Sequence, residues 1–570
     1  MRSSGVQTTL KTRFSVLLFL LLFSFPLFSL SFADTGDSPE LALRLTEQMT
    51  DEQALAQTFM LGWVGAEPSP LIMDWIRDRN IGGVKIFGWN TDDTRKLAET
   101  VGELQKNALA TPLGIPLLVA TDQEGGLVRH VKGATSETPG NMAIGASGRP
   151  MDAYLSGYYI GRELSLLGIN MNFAPAVDLY TNQESTVIGP RSFGADPVRA
   201  GILGAAFVKG LGETGVIATA KHYPGHGDTD LDSHGVLPRI DASFDLLWDR
   251  ELIPYRLMAK EGLQAIMSGH LAFPNTPAGE TPASLSSWFL NDLLREKIGF
   301  RGLIITDDLL MNGATAFAGS VSRAAKQALL AGNDIVMLSK TPTLNDAVWT
   351  YLLSSMKSEP EFRERVRDAC RRIVEFKLKN LGGDKKFPYV PDLKKVDAGL
   401  EDPEGTAFFL SLAARSVTIV NGRDVFPLSP EKAGRVLLAG NYADFFSAGE
   451  KAYPGAVSCW YNLSQGISEL AARARDADTV IFCLSDKADL GILKQLRRLN
   501  RRIIVLSVLS PVYLDEASWV DGAVAVYSYA PESFIAGFSV ILGRISGEGK
   551  MPFPLNSGGG AQVSSGEREP

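Results

Sequence analysis

Between residues 38 and 380 the chain alternates short, almost wholly apolar runs with longer stretches of helical periodicity. Eight runs qualify as strands: Gln57–Trp63, Gly82–Gly88, Pro116–Thr121, Asn170–Val177, Val216–Lys221, Ala265–Gly269, Gly302–Thr306 and Asp334–Ser339. Runs such as Val84-Lys85-Ile86-Phe87 and Leu303-Ile304-Ile305 suit parallel strands covered on both faces. Amphipathic segments including Asp93–Ala108, Pro150–Leu167, Pro197–Glu213 and Ser322–Ala331 lie between them. Eight such units in one stretch predict an α/β fold, a (β/α)8 TIM-type barrel, with a doubly wound open sheet as the alternative.

Residues 381–404 break the rhythm with Gly382-Gly383, a basic cluster, Pro388, Pro391 and Pro403, and read as a linker. A second set of strands follows at Val417–Val420, Arg435–Ala439, Thr479–Leu484, Arg502–Leu506 and Gly522–Tyr527. Residues 405–555 are therefore expected to form a smaller α/β sandwich domain. The polar, glycine-rich residues 556–570 are expected to be disordered.

At the N-terminus, Arg2, Lys11 and Arg13 precede an uncharged apolar run from Phe14 to Ala33, closed by the small residues Ser31 and Ala33. This is the pattern of a secretory signal over residues 1–33, with an uncleaved anchor as the other reading. Export to the periplasm or the medium is expected, with no stable membrane span after cleavage. Loss of the segment takes the formal charge from −8 to −11, so no attraction for nucleic acid is expected. Cys370, Cys459 and Cys483 are too few for a disulfide framework or a thiolate metal site.

All five histidines, His130, His222, His226, His234 and His270, fall just beyond proposed barrel strands, on the face where barrel active sites form. The densest segment runs from Lys221 through His222, Pro224, Gly225, His226, Gly227, Asp228 and Asp232 to His234. Its proline and carboxylates mark a loop, so His222 and His226 are not a helical metal-binding pair. Asp232 and His234 stand two apart, which in extended chain puts both side chains on one side, a carboxylate fixing an imidazole as a proton shuttle. At the end of the seventh strand, Thr306-Asp307-Asp308 offers a carboxylate nucleophile. Neighbours point to opposite faces, so one aspartate faces substrate and the other suits a cap. Asp122, Asp178 and Arg191 add polar groups at other strand ends.

Lys221-His222-Tyr223-Pro224-Gly225-His226-Gly227 continuing to Asp232-Ser233-His234, with Asp122-Gln123-Glu124-Gly125-Gly126, Arg191-Ser192-Phe193-Gly194 and Thr306-Asp307-Asp308-Leu309, resembles glycoside hydrolase family 3, in its β-N-acetylhexosaminidase branch. The likeness covers about residues 40–380. It implies Asp307 as nucleophile, His234 as general acid/base with Asp232 as its partner, and Asp122, Arg191, Lys221 and His222 as ligands of the terminal sugar. It also implies a small β-N-acetylglucosaminide as substrate and no metal or other cofactor. The family's usual Arg, eight residues after the first Asp, is His130 here, with Arg129 beside it. Together with the N-terminal signal pattern, the resemblance implies an exported, retaining, exo-acting β-N-acetylglucosaminidase working on peptidoglycan fragments or chitooligosaccharides. Three alternatives stand beside it: a metal-dependent hydrolase using His222, His226, Asp228 and His234; a phosphorolytic or β-glucosidase-type enzyme of the same family; and a sugar-binding protein without catalysis.

Overall fold

Each apolar run between residues 57 and 339 forms a strand in the computed structural model: β1 Phe59–Gly62, β2 Gly83–Ile86, β3 Leu118–Thr121, β4 Met171–Asn172, β5 Ile217–Tyr223, β6 Ala265–Ser268, β7 Leu303–Asp308 and β8 Ile335–Leu338. The structure describes residues 31–32, 39–91, 93–382, 387–461, 468–499 and 501–555; the signal segment apart from Ser31 and Phe32, and the tail from 556, lie outside them. The eight strands pair in chain order, all parallel, and β8 returns to β1 with Val336 opposite Phe59 and Leu338 opposite Leu61. Helices carry the chain back outside the strands. Both faces of the sheet are therefore covered, which is why the strands read as continuous apolar runs rather than as alternating ones.

Two strands differ from expectation in ways that shape the site. β4 is only Met171–Asn172, against the expected Asn170–Val177, and beyond it the links to β5 are single bonds, Thr219 N to the Ala174 carbonyl at 3.0 Å and Lys221 N to the Pro175 carbonyl at 3.1 Å. The chain rejoins β5 just beyond, where Val177 N donates to the Lys221 carbonyl at 2.9 Å, and this sets Asp178 beside His222. β5 runs two residues further than predicted, so His222 and Tyr223 join Lys221 as strand residues and the loop begins at Pro224. At the opposite end of the barrel the buried Asp334 accepts from Ile304 N at 3.0 Å and Arg295 Nη2 at 2.7 Å, tying β7 to β8.

The 381–404 stretch contains a helix, Leu393–Gly399, and a second helix, Pro403–Ser416, leads into the next domain. There β9 Thr418–Asn421, β10 Val436–Gly440, β11 Val457–Trp460, β12 Thr479–Leu484, β13 Arg502–Ser507 and β14 Gly522–Ala525 form one sheet in the order β9-β14-β13-β12-β10-β11. Only β9 is antiparallel to its neighbour. The edge strand β11 was not predicted; Cys459 is its one buried residue, so it lacks an apolar run. Apolar clusters lie on both faces of this sheet. A further cluster joins the domains, uniting Met142, Ala143, Ala146 and Tyr180 of the barrel with Ala525, Tyr527 and Phe553. Backbone bonds from Ala195 N to Pro552 O and from Lys550 N to Ala146 O, both 3.0 Å, hold the last described segment on the barrel. Among the described residues no helix is long and apolar enough to cross a membrane.

Candidate active site

The carboxyl ends of β2, β3 and β5 bring together a buried lattice of charges. Lys221 Nζ pairs with Asp122 Oδ1 and lies 2.6 Å from Glu124 Oε1. Lys85 Nζ, 1 % exposed on β2, holds the other Asp122 oxygen at 2.5 Å. Arg191 grips Glu124 with two bonds, Nε to Oε2 at 2.9 Å and Nη2 to Oε1 at 2.7 Å, and gives Nη1 to the Val187 carbonyl at 3.0 Å. Burial pushes the Asp122 and Glu124 carboxyls up, but Lys221 and Lys85 outweigh it at Asp122, and Arg191 and Lys221 hold Glu124 at about 2. Both are carboxylates at neutral pH, and Asp122 keeps free lone pairs for sugar hydroxyls. Between Arg129 and His130, the histidine reaches this lattice: its Nδ1 is 3.6 Å from Asp122 Oδ2 and 3.3 Å from Lys85 Nζ, while Arg129 pairs with Glu137 at 3.3 Å. Burial and Lys85 hold the His130 imidazole down at about 4, so it is neutral.

Asp178 organises the histidine segment. Its carboxylate takes His222 Nδ1 at 2.7 Å, the His222 backbone N–H at 3.1 Å and the His226 N–H at 2.7 Å. Burial raises the carboxyl, and His222 with the His226 N–H pulls it well below the usual range. The bond to Nδ1 turns His222 Nε2 toward Arg191 Nη2, 3.4 Å away. His226 is buried, neutral at about 4 through burial and His222, and its Nδ1 has no partner among the described residues. The loop can pass so close because Gly227 has no side chain: a Cβ there would sit 1.6 Å from the Leu179 carbonyl oxygen. Gly225, at φ 139°, packs over Glu251.

At the end of β7 the two aspartates divide as the alternation requires. Asp308 Oδ1 accepts from Leu310 N and Ser339 N, each at 3.0 Å, and is a turn-fixing residue. Asp307 uses Oδ1 for the Asp308 N–H at 2.8 Å. Burial raises its carboxyl, but His222, His270, the Asp308 N–H and Lys221 hold it below the ordinary value. His270 is fully buried, bonded through Nδ1 to Ser284 Oγ at 2.8 Å and through Nε2 to the Asp308 carbonyl at 3.1 Å, so its role is to brace the strand end.

Asp232 and His234 form the expected pair, Oδ1 to Nδ1 at 2.7 Å, with the His234 N–H on the same oxygen at 2.9 Å. The pair stands on an open loop, the imidazole side chain 74 % exposed, and among the described residues neither side chain hydrogen-bonds Asp307. The loop touches the helix after β7 through Gly313 N to the Ser233 carbonyl at 3.2 Å. The four residues of the metal alternative do not converge: Asp228 pairs with Arg250 at 2.5 Å, His222 with Asp178, His226 is buried, and His234 faces solvent. No group of three such side chains among the described residues is arranged to hold an ion.

A family model described as "Glycosyl hydrolase family 3 N terminal domain" matches residues 52–376, more than half of the chain. The chain belongs to glycosyl hydrolase family 3. A Beta-hexosaminidase from Tolumonas auensis is 35 % identical over 308 residues, covering 53 % of this chain and 88 % of that one. Beta-hexosaminidase A of Pseudoalteromonas piscicida is 37 % identical over 382 residues, 63 % of this chain and 62 % of its own length. The chain thus spans less than two thirds of that relative. Among solved structures, a glycoside hydrolase family 3 beta-N-acetylglucosaminidase from Paenibacillus sp. str. FPU-7 superposes with a TM-score of 0.79 at 29 % identity, over 89 % of this chain and 99 % of that one.

In this family 3 chain the second domain borders the site. A cleft of about 460 Å³ lies between the loop after β3 and the second domain, lined by Gly88, Leu127, Arg129, His130, Glu137 and Tyr529. Lys85 and Glu124 were not singled out from the sequence. Glu124 had a signal, since it stands two residues after Asp122. Lys85 had a fainter one: a lone charge inside an apolar strand.

Proposed function

We propose that the protein is an exported, retaining, exo-acting β-N-acetylglucosaminidase that hydrolyses terminal β-linked N-acetylhexosamine from peptidoglycan or chitin-derived oligosaccharides. The observation that supports it most is Asp307, a half-buried carboxylate at the mouth of β7 held ionised by His222, His270, the Asp308 N–H and Lys221, on the same barrel face as Asp122, Lys221 and His222, the residues that would bind the sugar. The similarity to hexosaminidases of other bacteria supports the acetamido sugar, and the charged start and apolar run of residues 1–33 support export.

In this reading Asp307 attacks the anomeric carbon as the glycosidic bond breaks, and His234 Nε2 donates its proton to the departing oxygen. The covalent glycosyl-enzyme is then hydrolysed: His234 takes a proton from water, whose oxygen displaces Asp307. Asp232 on Nδ1 fixes the imidazole tautomer and stabilises its protonated form. The exposed loop must carry His234 to the pocket for the first step. Arg191, with its N–H groups largely committed to Glu124, Val187 and His222, supports the ligands of the sugar more than it binds the sugar itself.

The test is labelling with a fluorinated glycosyl donor followed by peptide mapping, alongside turnover of a chromogenic β-N-acetylglucosaminide and the matching β-glucoside. Label on Asp307 and preference for the acetamido sugar are expected. Hydrolysis with the label elsewhere overturns the assignment. Release of sugar 1-phosphate in phosphate buffer would favour the phosphorolytic alternative, and loss of activity to chelator with recovery on zinc the metal-dependent one.

A further inference from the structure

Lys85 is a buried charge at the mouth of the barrel that the reaction above leaves without a role. It sits between Val84 and Ile86 in a strand whose every residue is buried, a position where an apolar side chain would pack at no electrostatic cost. Its ammonium meets three acceptors: Asp122 Oδ2 at 2.5 Å, the Ile86 carbonyl at 3.0 Å and His130 Nδ1 at 3.3 Å, with the Phe87 ring centroid 4.2 Å away. All three ammonium donors are thereby used.

Two consequences follow from this arrangement. Asp122 is pulled from both sides, Lys221 on Oδ1 and Lys85 on Oδ2, so its plane is fixed and its remaining lone pairs point in set directions. An ammonium has no lone pair to offer, so His130 Nδ1 is the acceptor and the ring proton resides on Nε2. His130 is then a neutral donor facing away from Lys85, and it also lines the cleft shared with Tyr529.

We propose that Lys85 is a positioning residue for the substrate: acting through Asp122 and His130, it presents one oriented carboxylate and one oriented N–H donor to the terminal sugar. This rests on the glycosidase reading of the pocket and adds to it a residue that does not itself reach the reacting atoms. A purely structural ion pair would change stability and leave sugar affinity alone, and the two cases separate by experiment.

The variants are Lys85→Met, His130→Arg and the double substitution. KM and kcat are measured on a chromogenic β-N-acetylglucosaminide, together with inhibition by free N-acetylglucosamine and the thermal midpoint. Lys85→Met is expected to raise KM and the sugar inhibition constant together by roughly tenfold or more, with a smaller change in kcat. His130→Arg alone places two cations against one carboxylate oxygen and is expected to weaken sugar binding too. In the double variant the arginine supplies the cation that Lys85 gave, and affinity should return to within about threefold of the parent. Parental KM and inhibition constant in Lys85→Met, or a double variant no better than Lys85→Met, overturn the proposal. If Lys85→Met does not fold, His130→Arg still decides: with Lys85 intact, unchanged affinity overturns it, and weakened affinity restored on adding Lys85→Met supports it. Turnover by the parent with parental KM in the variants defeats this inference alone. No turnover of any N-acetylglucosaminide by the parent defeats the glycosidase reading and this inference with it.

Discussion

His234 and Asp307 are chemically complementary and differ in how they are held. Asp307 is half-buried among groups that hold it ionised, whereas His234 stands in solvent with Asp232 as its side-chain partner among the described residues. Exposure makes His234 a clean site for substitution, since removing it leaves no buried group unpaired. His234→Ala is expected to shift the thermal midpoint by less than the equivalent of about 0.5 kcal/mol. On substrates with poor leaving groups kcat/KM should fall by roughly 10²–10⁴, and by much less where the leaving group needs little protonation. A series of aryl glycosides of graded acidity measures this; equal losses across the series would remove His234 from the acid role. Asp178 presents the opposite case. It is buried and holds three donors from the next strand and loop, so Asp178→Ala leaves the His222 and His226 groups unsatisfied. A loss of stability of about 3–5 kcal/mol is expected alongside any loss of activity.

The loop after β5 rests on an acid in an unusual state. Glu251 lies under Gly225, bonded through Oε1 to Arg250 at 2.6 Å, and its Oε2 has no partner among the described residues. Burial, only partly offset by Arg250, raises the carboxyl from 4.5 to about 7. Because the folded value lies above the unfolded one, its contribution to stability is complete below pH ~4.5 and is lost as pH rises through ~7. Glu251→Gln cannot ionise, so it should gain on the parent between pH 5 and 8 by up to about 3 kcal/mol, read as a difference in denaturation midpoints. A constant difference across that range would contradict the raised carboxyl. At this scale the sequence was most legible where elements are apolar throughout. All eight barrel strands stood out because both their faces are covered, and the histidine segment because it holds three of the five imidazoles, all expected beyond strand ends. What escaped was polar chain inside regular structure. His222 and Tyr223 extend β5 beyond Lys221, and the polar groups of His222 are met there by Asp178, a residue distant in sequence. β11 escaped because an edge strand with one buried side chain has no pattern to read.

At the scale of the whole molecule, the two domains meet close behind the catalytic mouth. Tyr180, two residues beyond Asp178, stacks edge-on against Phe553 with ring centroids 4.8 Å apart and hydrogen-bonds Ser510 Oγ at 3.2 Å. Helix Pro403–Ser416 adds an ion pair, Arg415 to Asp152 at 2.6 Å, on the same side of the barrel. The segment that positions Asp178, and through it His222, is therefore backed by the second domain rather than by barrel packing alone. Phe553→Ala removes the ring from this contact, and a buried aromatic truncated to alanine costs about 3–5 kcal/mol when the surroundings do not close in. If the backing matters to the site, kcat/KM in the folded variant should fall severalfold at temperatures well below its melting point, since a displaced Asp178 no longer orients His222. Trp460, more than half exposed on the far edge strand β11, gives the control: Trp460→Ala should leave kcat/KM unchanged. Calorimetry and kinetics on the same samples separate the two effects. A Phe553→Ala protein that melts earlier yet turns over substrate at the parental rate would show that the barrel site stands independent of its partner domain.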